Sequence, residues 1–150
     1  MLLLFDLNGF KHYNDTFGHP AGDELLRRLG GALRDAVGED GVAYRIGGDE
    51  FCVLLTCEPD RFEAVGRAAT SALTAVGPGF EVSSAWGAVQ VPAEESDPSA
   101  ALQLADVRMY AQKESRRLAH DDILEPTVTA TPRAREKSAS GSTTRPVTRR

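Results

Sequence analysis

Three carboxylates carry the first chemical argument in this sequence. Asp6 lies at the end of the apolar run Leu2–Leu7, and Asp49 and Glu50 lie in Gly47-Gly48-Asp49-Glu50, between the β-prone runs Val42–Ile46 and Phe51–Leu55. If the first strand ends beside that hairpin turn, Asp6 comes next to Asp49 and Glu50. Carboxylates gathered in one cleft repel each other unless a cation lies between them. Oxygen ligands without a His/Cys cluster suit Mg²⁺ or Mn²⁺ rather than zinc, and Mg²⁺ commonly joins one or two carboxylates to substrate phosphates. Taken singly, each of these residues is explained as well by a strand end or a turn.

Neighbouring residues add weight to the phosphate reading. The segment 8–20, NGFKHYNDTFGHP, reads as a polar loop. It offers backbone N–H groups around Gly9-Phe10-Lys11, the point charge of Lys11, and the donor and acceptor of Asn14. Asp23, expected in the first turn of the next helix, has the acceptors to pair with guanine N1 and N2; complementing the helix dipole explains it equally well. Lys113 and Arg117, four apart near the end of a helix, present two cations on one face, as an ordinary solvated surface also would.

The elements that must position these groups follow from periodicity. Leu2–Leu7 reads as a buried strand, and Leu25, Leu26, Leu29, Leu33 and Val37 place a helix over residues 21–37. The hairpin follows. Pro59 then opens a helix with the face Phe62, Val65, Ala69, Leu73 and Val76, which Gly77-Pro78-Gly79 ends. Phe80–Val91 is extended, with a bend at Gly87, and Asp97-Pro98 starts a helix with the stripe Leu102, Ala105 and Met109 that runs to Arg116. Ile123-Leu124 offers one last short strand. The order β-α-β-β-α-β predicts an α+β fold with a ferredoxin-like βαββαβ core, one antiparallel sheet with helices on one face and an additional C-terminal helix.

Charge divides the chain. Residues 125–150 hold six Lys/Arg and two Glu, a net +4, so residues 1–124 carry −9 of the total −5. The tail has no aromatic residue and reads as a disordered basic Pro/Ser/Thr-rich segment, leaving residues 1–124 as the single domain. A net charge of −9 argues against general nucleic-acid binding. No apolar run approaches the ~18–20 residues of a membrane span. Cys52 and Cys57 form no disulfide framework and read as small apolar residues, which makes a cytoplasmic location the default. Trp86 and Met109 are expected in the core, and His12, His19 and His120 are given no chemistry.

Several of these stretches together resemble the GGDEF domains, the diguanylate cyclases. RIGGDEF (45–51) is that family's signature, and DLNGFK (6–11) resembles its D-x-D-x-F-K strand end. YNDTFGHPAGD (13–23) is similar to its guanine-recognition stretch, and LADVRMYAQKESRR (104–117) to its closing A-D-x-A-L-Y-x-A-K-x-x-G-R helix. The resemblance covers about residues 1–120. It implies a nucleotidyl-cyclase or palm-like fold and condensation of two GTP into cyclic di-GMP with loss of pyrophosphate. It places Mg²⁺ (or Mn²⁺) on Asp6, Asp49 and the Leu7 carbonyl, and Glu50 at metal binding or activation of the attacking hydroxyl. Asn14 and Asp23 match its guanine readers; Gly9, Phe10 and Lys11 its phosphate turn; Lys113 and Arg117 its terminal-phosphate cations. Each domain supplies half a site, so a homodimer is implied, with a sensor or partner protein acting in trans.

The departures are specific. Asn8 stands for the second Asp of D-x-D, Gln112 for Ala and Arg116 for Gly in the closing helix. Gly38-Glu39-Asp40-Gly41 replaces the Arg-x-x-Asp of the family's product-inhibition site. The family's usual helix and D-x-L-T-G-L-x-N-R segment before the first strand are expected to be missing, as in a fragment, a chain with a misplaced start or a truncated relative.

Overall fold

A computed structural model describes residues 1–124, with side chains described through Leu118. The expected tail, 125–150, lies outside the described residues. The elements are β1 (Leu2–Asn8), α1 (Phe10–Phe17), α2 (His19–Val37), a 3₁₀ turn, β2 (Gly41–Arg45) and β3 (Glu50–Leu55). After a second 3₁₀ turn come α3 (Phe62–Ala72), β4 (Ala75–Gly77), β5 (Phe80–Val89) and α4 (Pro98–Leu124). The five strands form an antiparallel sheet in the order β2-β3-β1-β5-β4. The α+β class and the ferredoxin-like core are as expected.

The uninterrupted apolar run of β1 has a simple cause: both faces of this central strand are covered. Leu3, Phe5 and Leu7 join the core under α2 and α3, whereas Leu2 and Leu4 meet Ala101, Ala105 and Met109 of α4 on the opposite face. The core helices α2 and α3 thus share one face of the sheet, as expected, and the additional C-terminal helix α4 covers the other. The buried stripe of α4 is Ala101, Ala105 and Met109, and Leu102 is exposed. Trp86 is half-buried against the first core.

Other expectations are corrected. The segment 8–20 is not a loop but α1 and the start of α2. Gly9, at φ 80°, turns the chain directly from β1 into α1. An added Cβ there would collide with the Glu81 carbonyl, so both conformation and space demand glycine. The helix buries only Phe10, and an aromatic cluster carries its outer side. Tyr13 packs against Phe17 and Phe80 at ring-centroid distances of 4.8 Å each. Val76, assigned to the face of α3, lies in β4 and is exposed. Gly79, at φ 81°, closes a tight β4–β5 hairpin immediately after it. Ile123-Leu124 is helical, because α4 continues past Arg116 to Leu124.

The docking of α4 on β5 is close and polar. A Cβ at Gly87 would collide with the Ala105 carbonyl and the Met109 nitrogen. On one edge β5 pairs with β1 along Ser83–Val89, but on the other β4 reaches only Phe80–Val82. Side chains one helical turn apart on α4 bond to the rest. Arg108 donates to the Ala88 carbonyl at 2.6 Å, Gln112 accepts from Trp86 N–H at 2.8 Å, and Arg116 donates to the Ser84 carbonyl at 2.7 Å. Unpaired strand edges invite pairing with other chains, and this stripe covers one. Arg108 also grips Glu94 at 2.7 Å, tying down the loop after β5.

Two glycines make the packing testable. Gly87→Ala is expected to lower stability by about 1–3 kcal/mol in urea unfolding, because backbone must move. Gly31→Ala, in α2 with open space around it, is expected to raise stability by about 0.5–1 kcal/mol. The Arg108 hydrogen bonds, helped by Gln90 N–H, hold the Glu94 carboxyl at about 2. A depressed carboxyl contributes its stability above the unfolded value near 4.5 and loses it as pH falls towards 2. In Arg108→Ala, an NMR titration of Glu94 is expected to move back towards the ordinary value.

Candidate active site

The end of β1 brings the acidic residues together through sheet register. Asp6 faces Glu50 across the β1–β3 pair, and Leu7 N–H donates to the Asp49 carbonyl at 3.1 Å. Directly opposed residues on an antiparallel pair point to the same face, so the Asp6 and Glu50 side chains share the side covered by α4. The β2–β3 turn is held by Arg45, whose guanidinium donates to the Gly47 carbonyl at 3.1 Å and the Gly48 carbonyl at 2.9 Å. Neither Gly47 nor Gly48 has a left-handed backbone. Gly47 is needed for room, since a Cβ there would collide with the Glu50 carboxylate; Gly48 meets nothing within 4 Å.

Like charges opposed on neighbouring strands are destabilising, and a cation answers them here. Lys113 of α4 reaches Asp6, with Nζ 2.5 Å from Oδ1, and the Asp6 side chain is 17% exposed. Among the described residues no group of three or more His, Cys, Asp or Glu side chains is arranged to hold a metal ion. The register pairs Asp6 with Glu50, while Asp49 stands in the turn and meets β1 through its backbone. The donors still fit a hard cation in kind, because Asp6 and Glu50 offer carboxylate oxygens on one face.

Beside Lys113 opens a cleft of about 660 Å³, lined by Asn8, Gly9, Glu81, Ser83, Lys113, Glu114, Arg116 and Arg117. Three predicted residues therefore meet there: Gly9, Lys113 and Arg117. Phe10 is buried, so only its backbone is available, and Lys11 is exposed on the first turn of α1 outside the cleft lining. Arg117 is paired with Glu114 at 3.2 Å.

Asn14 and Asp23 belong to a second locus, the junction of α1 and α2. The Asn14 carbonyl accepts Gly18 N–H at 2.8 Å. Its side chain presses against Gly22, where a Cβ would collide with it, and Oδ1 is buried without a hydrogen-bond partner. A buried unsatisfied acceptor costs about 1–3 kcal/mol, which a donor from a ligand would recover. Because α2 begins at His19, Asp23 falls in the second turn rather than the first, and no acidic residue occupies the first turn. Helix-dipole complementation is correspondingly weaker as its explanation.

Sequence reasoning missed Arg116 in the cleft lining, treating it only as a departure in the closing helix. The available signal was the four-residue spacing of Arg108, Gln112 and Arg116. Cys52 is buried and desolvation raises its thiol pKa, consistent with an apolar role. No helix of the described residues is long and apolar enough to cross a membrane.

Comparison with known proteins gives the architecture its class. The family described as diguanylate cyclase, GGDEF domain, matches residues 1–118. The chain belongs to the GGDEF family. It is 32% identical over 124 residues to the probable diguanylate cyclase DgcT of Escherichia coli (strain K12), covering 77% of this chain and 27% of that protein. It is also 32% identical over 123 residues to YhcK of Bacillus subtilis (strain 168), covering 77% and 34%. The chain thus spans about a third or less of these relatives. Among solved structures, an EAL/GGDEF domain protein from M. capsulatus superposes with a TM-score of 0.66 at 32% identity, covering 76% of this chain and 77% of that one. The GGDEF domain of YfiN (TpbB) from Pseudomonas aeruginosa gives 0.65 at 30%, covering 76% and 75%.

The cation at Asp6 can be tested without turnover. Lys113→Ala leaves Asp6 and Glu50 opposed and is expected to lower stability by about 1 kcal/mol. Millimolar Mg²⁺ should then raise the Tm of this variant more than that of the unaltered chain. Equal response of both proteins would place the metal elsewhere.

Proposed function

We propose that this chain is the catalytic domain of a diguanylate cyclase that condenses two GTP into cyclic di-GMP and pyrophosphate. The observation that carries the proposal is the meeting of Asp6, Glu50 and Lys113 at the end of β1, beside a cleft that starts at Gly9. Asp6, Asp49 and the Leu7 carbonyl would hold Mg²⁺ (or Mn²⁺). Bound there, the ion would neutralise phosphate charge and make the attacking hydroxyl more acidic.

The chain's own residues do the remaining work. Lys113 leaves Asp6 for the triphosphate, and with Arg117 it balances charge on the departing pyrophosphate. The backbone of Gly9 and Phe10 and the ammonium of Lys11 bind phosphate oxygens. Asn14 and Asp23 read the guanine edge, the buried Oδ1 of Asn14 gaining a donor. Glu50 accepts the proton of the 3′-hydroxyl, whose oxygen attacks the α-phosphorus of the GTP on a facing domain, and pyrophosphate leaves in line. Each domain holds one GTP, so catalysis requires two chains. Input from a sensor or partner protein would act by setting how the two face each other.

One observation favours a second reading, a domain that binds GTP or a protein partner without turnover: Lys113 already occupies Asp6. A single experiment separates the two. The chain fused to a dimerising coiled coil and given GTP and Mg²⁺ is expected to form cyclic di-GMP, detected by mass spectrometry. Glu50→Gln should reduce the rate by about 10²-fold or more while retaining GTP binding. GTP binding without product in the fused dimer would establish the non-catalytic reading. Because Gly38-Glu39-Asp40-Gly41 lacks the resembled inhibitory arginine, added cyclic di-GMP is expected to leave the rate unchanged.

A further inference from the structure

The three cations lining the cleft at Gly9 are not equivalent. Lys113 is neutralised by Asp6 at 2.5 Å and Arg117 by Glu114 at 3.2 Å. Arg116 has no carboxylate partner among the described residues; its fixed contact is the neutral Ser84 carbonyl, 2.7 Å from NH1. A guanidinium carries five N–H donors in a rigid plane, and this contact uses one. Arg116 is therefore held in position while most of its donors and its charge remain available, the arrangement that favours forked recognition of phosphate oxygens.

Its neighbours on the same helical stripe are placed differently. Arg108 is committed to Glu94 and the Ala88 carbonyl, and Gln112 is neutral. The resembled closing helix has glycine at the position of Arg116, which supplies neither the anchor on β5 nor a charge.

We propose that Arg116 is a polyphosphate-binding residue of this chain, the pre-positioned cation that receives the phosphate tail of a nucleotide entering the cleft. Glu81 and Glu114 also line that cleft, so the occupant is a polyphosphate carrying a divalent cation rather than a bare anion. Lys113 and Arg117 reach the phosphates only by leaving their carboxylates, whereas Arg116 needs no such exchange. The inference rests on the nucleotide reading above for the identity of the ligand, but not for the polyphosphate chemistry.

The test measures binding of Mg-tripolyphosphate, Mg-GTP and Mg-ATP to the full chain by calorimetry. Arg116→Gln removes the charge and leaves a shorter, neutral amide; about 10-fold or greater loss of affinity for each ligand is expected. Arg116→Lys should recover part of the loss. Gln112→Ala removes a comparable tie to β5 without altering charge, so it should lower Tm yet leave affinity within twofold. Unchanged affinity in Arg116→Gln, equal losses in Arg116→Gln and Gln112→Ala, or no tripolyphosphate binding by the unaltered chain would each overturn the proposal. Tripolyphosphate binding that depends on Arg116, without preference for GTP over ATP, would uphold it while removing the guanine reading. GTP preference insensitive to Arg116→Gln would do the reverse.

Discussion

Burial of β1 on both faces and along both edges is the constraint from which the rest of the structure follows. A strand enclosed by β3 and β5, and by α2, α3 and α4, has no tolerance for a charged side chain along most of its length. Its polar residues are therefore confined to the far end, where Asp6 and Asn8 emerge beside the β2–β3 turn. The same enclosure fixes the register that sets Asp6 opposite Glu50. Two carboxylates forced together by a rigid sheet create a standing demand for positive charge, and α4 lies where it can supply it.

Lys113 meets that demand at Asp6, and under the proposed function the same ammonium also serves a phosphate. Its contact with Asp6 is partly exposed, and an ion pair in that setting is worth roughly 1 kcal/mol or less. Exchange for a doubly charged ion is energetically accessible, because under the proposed function a divalent cation takes over the charge on Asp6. The second locus, at Asn14 and Asp23, depends on a different part of the fold. It is built by α1 and α2, and its position follows from the left-handed turn at Gly9. Under the proposed function, guanine recognition and phosphate chemistry are thus carried by separate elements that meet at that one residue.

Much of the fold was legible because local pattern and tertiary environment agree. The strand runs of β1 and β3, the leucine spacing of α2 and the Asp97-Pro98 start of α4 are examples. The failures occur where stabilisation comes from distant residues. α1 has one buried side chain, and Tyr13 and Phe17 gain their packing from Phe80, far along the chain. The spacing of Phe10, Tyr13 and Phe17 was helical, but the intervening polar residues hid it. Val76 looked like a helix residue until Gly79 and β5 drew it into a strand. At the site, the motifs pointed to Asp6, Asp49, Glu50 and Lys113, and the register sets Asp6 opposite Glu50. For Arg116 the four-residue spacing was the one signal, since its contact with Ser84 depends on an open strand edge visible only in the assembled sheet.

The stripe along that edge also obeys a numerical coincidence. Four residues of helix advance about 6.0 Å, and two residues of antiparallel strand about 6.8 Å. Arg108, Gln112 and Arg116 therefore keep step with Ala88, Trp86 and Ser84 for three rungs, with a mismatch of under 1 Å accumulating at each. The two spacings act as a vernier. A slide of α4 by one residue would put all three rungs out of phase together, so the helix has one favoured axial setting instead of a continuous range. Lys113, one residue beyond Gln112, inherits that setting.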